Sequence, residues 1–433
     1  MAYQSPYQAF IFEDYSFDPE TNIANFHYSF DGQRHFNERI VIPAQQIQSS
    51  NPEALEKTLQ LAFYTASTSY YKAFPTKKVI FKKAQPDSWQ AQFLQKIYTE
   101  GLSQFLFEND LQLSDVATFE AGESEQSVSN YSGDGIIALQ SGGKDSLLLA
   151  TLLEEKDIQY TPWYIQYSQS HPHVLDELKY PLKTVRRSVD IEALKQAQAD
   201  GGLNGHIPIT YIVLSFALIE AILFGKNTVL AAIGAEGGEP HEFIGDLPVN
   251  HQWAKTWEAE QLFSEYVTNY ISPNIQVGSP LRGFSELKIA ELFTEYAWER
   301  FGHSFSSCNR ANYELGADNS KLKWCGDCPK CANSYILFAP FVEPEELKAL
   351  FGGEDLFAKA SLTETFKGLL GIDCVMKPFE CVGENNELQT AYHMAREKFG
   401  HEAYQLPFEV PKADFDYQTV QPHNNLEPNF YNL

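Results

Sequence analysis

Residues 139–146 read LQSGGKDS; they end the apolar run GIIALQ and begin the helix-like run KDSLLLATLLEE. That pattern fits a buried strand turning into a helix. Gly142 and Gly143 would let backbone N–H groups approach an anion closely. A helix starting near Lys144 would aim its positive end at the same point. Ser141, Ser146 and Lys144 can donate to phosphate oxygens, and Asp145 can hold Mg²⁺ or orient the loop. The plain alternative is an ordinary tight turn. The spacing differs from the G-x-x-x-x-G-K-[ST] phosphate loop.

A second constellation lies at 306–334, SSCNRANYELGADNSKLKWCGDCPKCANS. Sixteen residues separate Cys308 from Cys325, and two separate each of the pairs Cys325/Cys328 and Cys328/Cys331. Four thiolates so spaced suit a tetrahedral zinc site, with Gly326 and Pro329 at the knuckle turns. An iron–sulfur cluster is the runner-up, and buried free thiols are the plain alternative. A closed shell of four thiolates has no open position, so the metal is expected to be structural.

The elements around these residues follow from pattern. AFIFEDYSFD, NIANFHYSFD and RHFNERIVIP are aromatic-rich runs separated by turn residues and read as a β-meander. A helix follows, capped by Ser50 or Asn51 with a proline in its first turn. Residues 87–107 show helical spacing. The acidic, Gly/Ser-rich segment 120–134 is a natural boundary. Beyond it, strands at 160–167, 182–189, 227–234 and 274–281 alternate with helices at 191–201, 208–225 and 250–271 and with the run SELKIAELFTEYAWERF. That rhythm predicts an α/β domain with a parallel sheet covered on both faces. The expected organisation is a smaller α+β unit at 1–125, an α/β unit at 130–340 carrying the cysteine knuckle, and a helical segment at 341–433 ending in a loose polar tail. Ligands of such a sheet bind at the carboxyl ends of its strands.

The chain of 433 residues carries a net charge of -25, with 43% hydrophobic and 14% aromatic residues. Such composition belongs to globular protein. The charge disfavours long nucleic acid as a partner, while leaving room for one pocket to hold a small anion. The longest apolar stretch, 211–225, is interrupted by Glu220 and is too short to span a membrane. No secretory signal is read at the N-terminus, and the six cysteines suit a reducing cytoplasm.

The SGGKDS loop resembles the SGG-x-D-S loop of the PP-loop ATP pyrophosphatases, of adenine nucleotide alpha-hydrolase-like fold, which cleave ATP between its α- and β-phosphates and transfer AMP to an acceptor oxygen. With C…CxxCxxC downstream, the chain is also similar to 7-cyano-7-deazaguanine synthase, a carboxylate-adenylating enzyme. The blocks NGHIPIT (204–210), VNHQWAKTWEAEQLF (249–263), SPLRGFSELKIAELF (279–293), SSCNR (306–310), WCGDCPKC (324–331) and KPFECVGE (377–384) narrow the choice. With the phosphate loop and YSFDPETNIANFHYSFD, they resemble the UDP-N-acetyl-α-D-muramoyl-L-alanyl-L-glutamate epimerase family over about residues 10–385. That resemblance implies an ATP- and Mg²⁺-dependent epimerase of peptidoglycan precursor synthesis that releases AMP and pyrophosphate. The deazaguanine-type or tRNA-modifying enzyme is the rival, and a nucleotide-binding regulator without catalysis is a rival from another class.

The resemblance makes several residues candidates for proton transfer at Cα. His206 and His251 are candidate bases because imidazole titrates near neutral pH; helix entry and capping are the plain alternatives. Cys381 and Glu384 lie in the FECVGE block, and Cys381 could equally be a small buried hydrophobe. Cys374 is read as structural. Arg282 and Lys255 could bind substrate phosphates or carboxylates, while Arg186 and Arg187 could simply be solvated. One segment departs from the family, where an Asn-Glu-Arg-Ser type sequence follows the strand at 227–234. This chain reads GAEGGEPHEFIGD, keeping an acid as Glu236 but lacking the neighbouring Arg and Ser. Substrate range is expected to respond to that change.

Overall fold

The computed structural model describes residues 3–43, 51–123, 127–167, 170–235, 237–313 and 318–430. Its strands are β1 (Ala9–Asp18), β2 (Ile23–Phe30), β3 (Arg34–Val41), β4 (Lys78–Phe81), β5 (Ile136–Leu139), β6 (Thr161–Gln166), β7 (Lys183–Ser188), β8 (Thr228–Leu230), β9 (Glu242–Ile244), β10 (Leu247–Val249) and β11 (Gln276–Gly278). Nine of them form one sheet in the order β11-β8-β5-β6-β7-β3-β2-β1-β4. The five strands from β11 to β7 are parallel, and β4 lies parallel to β1. The β1–β3 meander is antiparallel, as expected, and joins antiparallel to β7. The fold is therefore mixed α/β around a large, mainly parallel sheet.

The meander thus extends the α/β sheet across the polar segment 120–134. Its join to β7 is pinned by charge. Arg187 of β7 donates to Glu38 of β3 through Nε at 2.7 Å and Nη2 at 3.2 Å, and to Ser69 Oγ at 2.9 Å. Both partners are buried, so Arg187 is a brace and not a solvated surface cation. Removing either partner would leave an uncompensated buried charge. The polar segment is itself tied down where it nears β5. Ser129 N donates to the Ile271 carbonyl at 2.9 Å, and Tyr131 Oη to the Lys226 carbonyl at 2.7 Å.

Alternation along the strands builds two cores. Ile137, Trp163, Ile165 and Val229 face the helices Pro52–Ala66, Ser88–Thr99 and Ile209–Leu223. Ala138, Tyr164 and Leu230 face Lys144–Glu155, Glu286–Tyr296, Pro329–Phe338 and Asn385–Phe399. The sheet is covered on both faces, as the near-continuous apolar strands require. The aromatic run near residue 70 is core: Tyr64, Tyr70 and Tyr71 are fully buried.

Local chemistry sets several boundaries. Asn51 caps the first helix by accepting from Ala54 N at 2.9 Å, with Pro52 at its first position. The helix expected over 250–271 is broken into a turn at Trp253–Lys255, a helix at Trp257–Tyr266 and a wider turn at Val267–Ile271. Thr256 causes the break: it is extended and caps the next helix through Ala259 N. The apolar run at 227–234 pairs only over Thr228–Leu230, because beyond it Ile233 N turns to the Ser279 hydroxyl at 2.9 Å.

The tail is not loose within the described residues. Leu426 and Phe430 are buried, Gln421 N donates to the Gly283 carbonyl at 2.8 Å, and Glu427 N to Gln276 Oε1 at 2.9 Å. Two apolar side chains among polar neighbours suffice to dock it. No helix among the described residues is long and apolar enough to cross a membrane.

Candidate active site

The SGGKDS loop lies at the carboxyl end of β5, between parallel neighbours β6 and β8. Gly142 has φ +81, and a Cβ there would come within 2.5 Å of Leu322, so glycine is required on both backbone and steric grounds. Gly143 caps the helix Lys144–Glu155. The hydroxyls organise the loop from within: Ser141 N donates to Ser146 Oγ at 3.2 Å, and Gly143 N to Ser141 Oγ at 3.3 Å. Lys144 is buried, donating to Asp145 Oδ1 at 2.6 Å and pairing with Glu286 at the head of Glu286–Tyr296.

The four cysteines come together. Their sulfurs all lie within 4.8 Å of one another, with Cys308–Cys328 at 3.6 Å, Cys325–Cys331 at 3.7 Å and Cys328–Cys331 at 3.5 Å. Metal–sulfur bonds of about 2.3 Å in a tetrahedron place sulfurs about 3.8 Å apart. The set therefore fits a single ion, whereas a multi-iron cluster would spread the thiolates further. Hydrogen bonds with Cys328 and Cys331 hold the Cys308 thiol down, the contact with Cys308 pushes Cys328 up, and contacts with Cys308 and Cys328 push Cys331 up. Four thiolates at this spacing need a cation to coexist. Gly326 takes φ +64 in the turn, and Pro329 opens the helix Pro329–Phe338.

This knuckle touches both other parts of the site. Ser306 N donates to the Gly142 carbonyl at 3.2 Å, and Tyr313 Oη to the Ser141 carbonyl at 2.9 Å. On its other side, Asn309 donates to Glu380 at 2.9 Å, Lys330 to the Cys381 carbonyl at 2.6 Å, and Asn333 accepts from Gly383 N at 2.9 Å. The FECVGE block is thus hung from the cysteine loop and its helix.

His206 and His251 are neighbours, with ring centroids 4.3 Å apart. Gln104 Oε1 lies 2.7 Å from His251 Nδ1; a carboxamide oxygen only accepts, so Nδ1 carries the proton and Nε2 is the basic nitrogen. Burial, reinforced by His251, pushes His206 well below the usual imidazole range. Burial brings His251 down to about 4, with neighbouring Glu380 opposing. Both rings are therefore neutral near pH 7, as a base must be.

Sequence reasoning missed His241 and Glu380. The His241 ring lies 6.3 Å from that of His251 and stacks on Phe379 at 5.2 Å. Burial raises Glu380, while Lys330 and His251 oppose it. A lone histidine in a loop and one acid among 57 acidic residues carry no spacing signal. Cys381 is half-buried beside Glu380, whereas Cys374 is exposed.

A cavity of about 320 Å³ opens beside Glu286, the ion-pair partner of Lys144, lined also by Glu384, Glu387, Arg282, Trp257 and the tail residue His423. Burial and Glu239 raise Glu384, and burial pushes Glu387 up to about 7. His206 and His251 are not among the lining residues. Arg282 is fully buried, with Nη2 donating to Glu260 at 2.6 Å and Nη1 to the carbonyls of Gly234 and Lys255 at 2.6 and 2.9 Å. It braces the cavity floor more than it offers a free cation. Glu236 lies outside the described residues.

The family models for the MurL N-terminal domain and the MurL C-terminal domain match residues 1–279 and 304–407. The chain belongs to the UDP-N-acetyl-α-D-muramoyl-L-alanyl-L-glutamate epimerase family, and it is an isomerase. A curated relative of that name from Xanthomonas oryzae pv. oryzae is 31% identical over 378 residues, covering 86% of this chain and 82% of its own. Its namesake from Salinispora tropica is 32% identical over 402 residues, covering 90% and 86%. Another from a Micromonospora species is 31% identical over 399 residues, covering 90% and 87%.

Proposed function

We propose that this enzyme converts the terminal L-glutamate of UDP-MurNAc-L-Ala-L-Glu to D-glutamate in peptidoglycan precursor synthesis, with ATP and Mg²⁺ as co-reactants in the cytoplasm. The observation that carries the ATP requirement is the SGGKDS loop, with a buried lysine and a helix N-terminus at the carboxyl end of a central parallel strand. Ser141, Gly142, Gly143, Lys144 and Ser146 would hold the phosphates, and Asp145 the Mg²⁺. This is the PP-loop reading of the fold, with zinc held by Cys308, Cys325, Cys328 and Cys331 in a structural role.

The chemistry explains why a nucleotide is consumed. The Cα–H of a residue with a free carboxylate is a very weak acid, because deprotonation would add negative charge to an anion. A carboxylate oxygen attacks the α-phosphorus of ATP and pyrophosphate leaves. The acyl adenylate carries no charge at the carbonyl carbon and can take the carbanion's electrons as an enolate. His251 or His206 takes the Cα proton, and an acid on the opposite face returns one. Cys381, Glu384 and Glu236 are the candidates for that second group. Water then cleaves the anhydride, giving the D-glutamyl product and AMP, so that one ATP and one water become AMP and pyrophosphate.

The test incubates purified protein with ATP, Mg²⁺ and UDP-MurNAc-L-Ala-L-Glu in D₂O. D-glutamate bearing α-deuterium, formed together with AMP, supports the reading. AMP without chiral change moves the search to another carboxylate; neither product rejects it.

A further inference from the structure

We propose that His241 binds the side-chain carboxylate of the substrate's terminal glutamate and thereby sets the preference for an acidic over a neutral residue. This inference rests on the epimerase reading above and adds a residue that reading does not use.

His241 is only 8% exposed, and neither ring nitrogen makes a hydrogen bond of good geometry, although the Glu380 backbone bears on the ring. Leaving a buried polar group unpaired costs roughly 1–3 kcal/mol, and such groups call for a specific explanation. The ring is also firmly placed. His241 N donates to the Val249 carbonyl at 2.8 Å, closing the base of the β9–β10 hairpin, and one face of the ring stacks on Phe379. The unpaired nitrogens therefore result from a built position and not from a loose side chain.

The surroundings suit an anion. Lys377 bears on His241, Lys255 and Lys330 on His251, and Lys72 on His206. Of the acids nearby, Glu239 is paired with Lys377 at 2.5 Å, while Glu380 and Glu108 bear on His251. In a chain of net charge -25, four lysines bearing on three neighbouring histidines concentrate positive charge at this place. Burial, with Lys377 adding to it, brings His241 down to about 4, so the ring is neutral near pH 7. An arriving carboxylate would supply both the hydrogen-bond acceptor and the counter-charge.

Geometry selects the side-chain carboxylate over the substrate's other anions. The His251 ring neighbours both that of His206, centroids 4.3 Å apart, and that of His241, 6.3 Å apart. A glutamyl Cα placed at the His206/His251 pair carries its side-chain carboxylate three bonds further on, toward the next ring. The other carboxylate is the one adenylated at the phosphate loop. His241 lies within the segment that departs from the family pattern, where a change in substrate selection would be encoded.

The experiment compares UDP-MurNAc-L-Ala-L-Glu with the same compound ending in L-glutamine, using wild type, His241→Phe and His241→Asn. Wild type should prefer the glutamyl substrate. Both variants should raise KM for that substrate about tenfold or more, with the glutaminyl analogue changed less than twofold, because only the former loses a charge-assisted bond. His241→Asn keeps the test open should the larger Phe disturb folding, which thermal melting would reveal. Equal losses on both substrates would assign His241 to packing and overturn the proposal alone. A wild type that epimerises neither compound overturns it together with the reading on which it rests.

Discussion

Lys144, at the head of the helix Lys144–Glu155, forms a buried ion pair with Glu286, at the head of the helix Glu286–Tyr296; their side chains are 6% and 7% exposed. Asp145 holds the same ammonium from its other side at 2.6 Å. Two helix N-termini from different parts of the sheet are thereby locked to one cation. Glu286 also lines the cavity, so the pair joins the SGGKDS loop to the space beside it. A buried lysine held by two carboxylates is fixed in position, and on the proposed function this is the preorganisation that electrostatic catalysis requires.

Lys144→Ala should therefore cut AMP formation by about a hundredfold or more, the scale on which preorganised donors act. Asp145→Ala should do the same by releasing the metal. Pyrophosphate release measured with saturating substrate checks both, and wild-type rates in either variant would remove the loop from the chemistry.

The cysteine set leads to a separate expectation. Elemental analysis should find about one zinc per chain, and an iron-rich, coloured protein would refute zinc. Cys328→Ser should lose the metal and, with it, the support that Asn309, Lys330 and Asn333 give to Glu380, Cys381 and Gly383. Hydrogen exchange should then quicken over residues 377–384 while the β1–β3 meander keeps its protection. Uniform loosening across the chain would mean that the metal holds the whole fold and not this block.

Proton transfer can be separated from adenylation. His251→Ala or His206→Ala should retain AMP release yet lower α-deuterium incorporation by about 10²–10⁴-fold, the usual contribution of a general base. Loss of AMP in step with deuterium would instead place the histidines at the nucleotide.

Much of this arrangement could be read from local pattern. The strand–glycine–helix grammar around 136–155 and the spacing of four cysteines are short-range signals, and both appear in the structure as written. What escaped depends on distant partners. The join of β3 to β7 rests on Glu38 meeting Arg187 across 149 positions, and neither residue announces its partner. The docked tail depends on Leu426 and Phe430 within a polar run whose average composition suggests looseness. His241 becomes notable only once Phe379 and His251 stand beside it.

One buried acid gives a pH-dependent stability test away from the site. Glu220 Oε2 accepts from Trp163 Nε1 at 2.6 Å, and burial pushes its carboxyl up to about 7 from the ordinary 4.5. A raised folded-state value means that the stabilising contribution is fully present below pH 4.5 and is lost as pH rises through about 7. Glu220→Gln keeps an acceptor for the indole but never ionises. Its melting temperature relative to wild type should therefore rise between pH 5 and pH 8, by an amount worth on the order of 1–3 kcal/mol. His241 and His251, held low by burial, weaken both proteins equally as pH falls from about 6.5 toward 4, so the difference between variant and wild type isolates Glu220. A difference that stays flat across that range would show that Glu220 is ionised in the folded protein at all these pH values or gains a compensating partner.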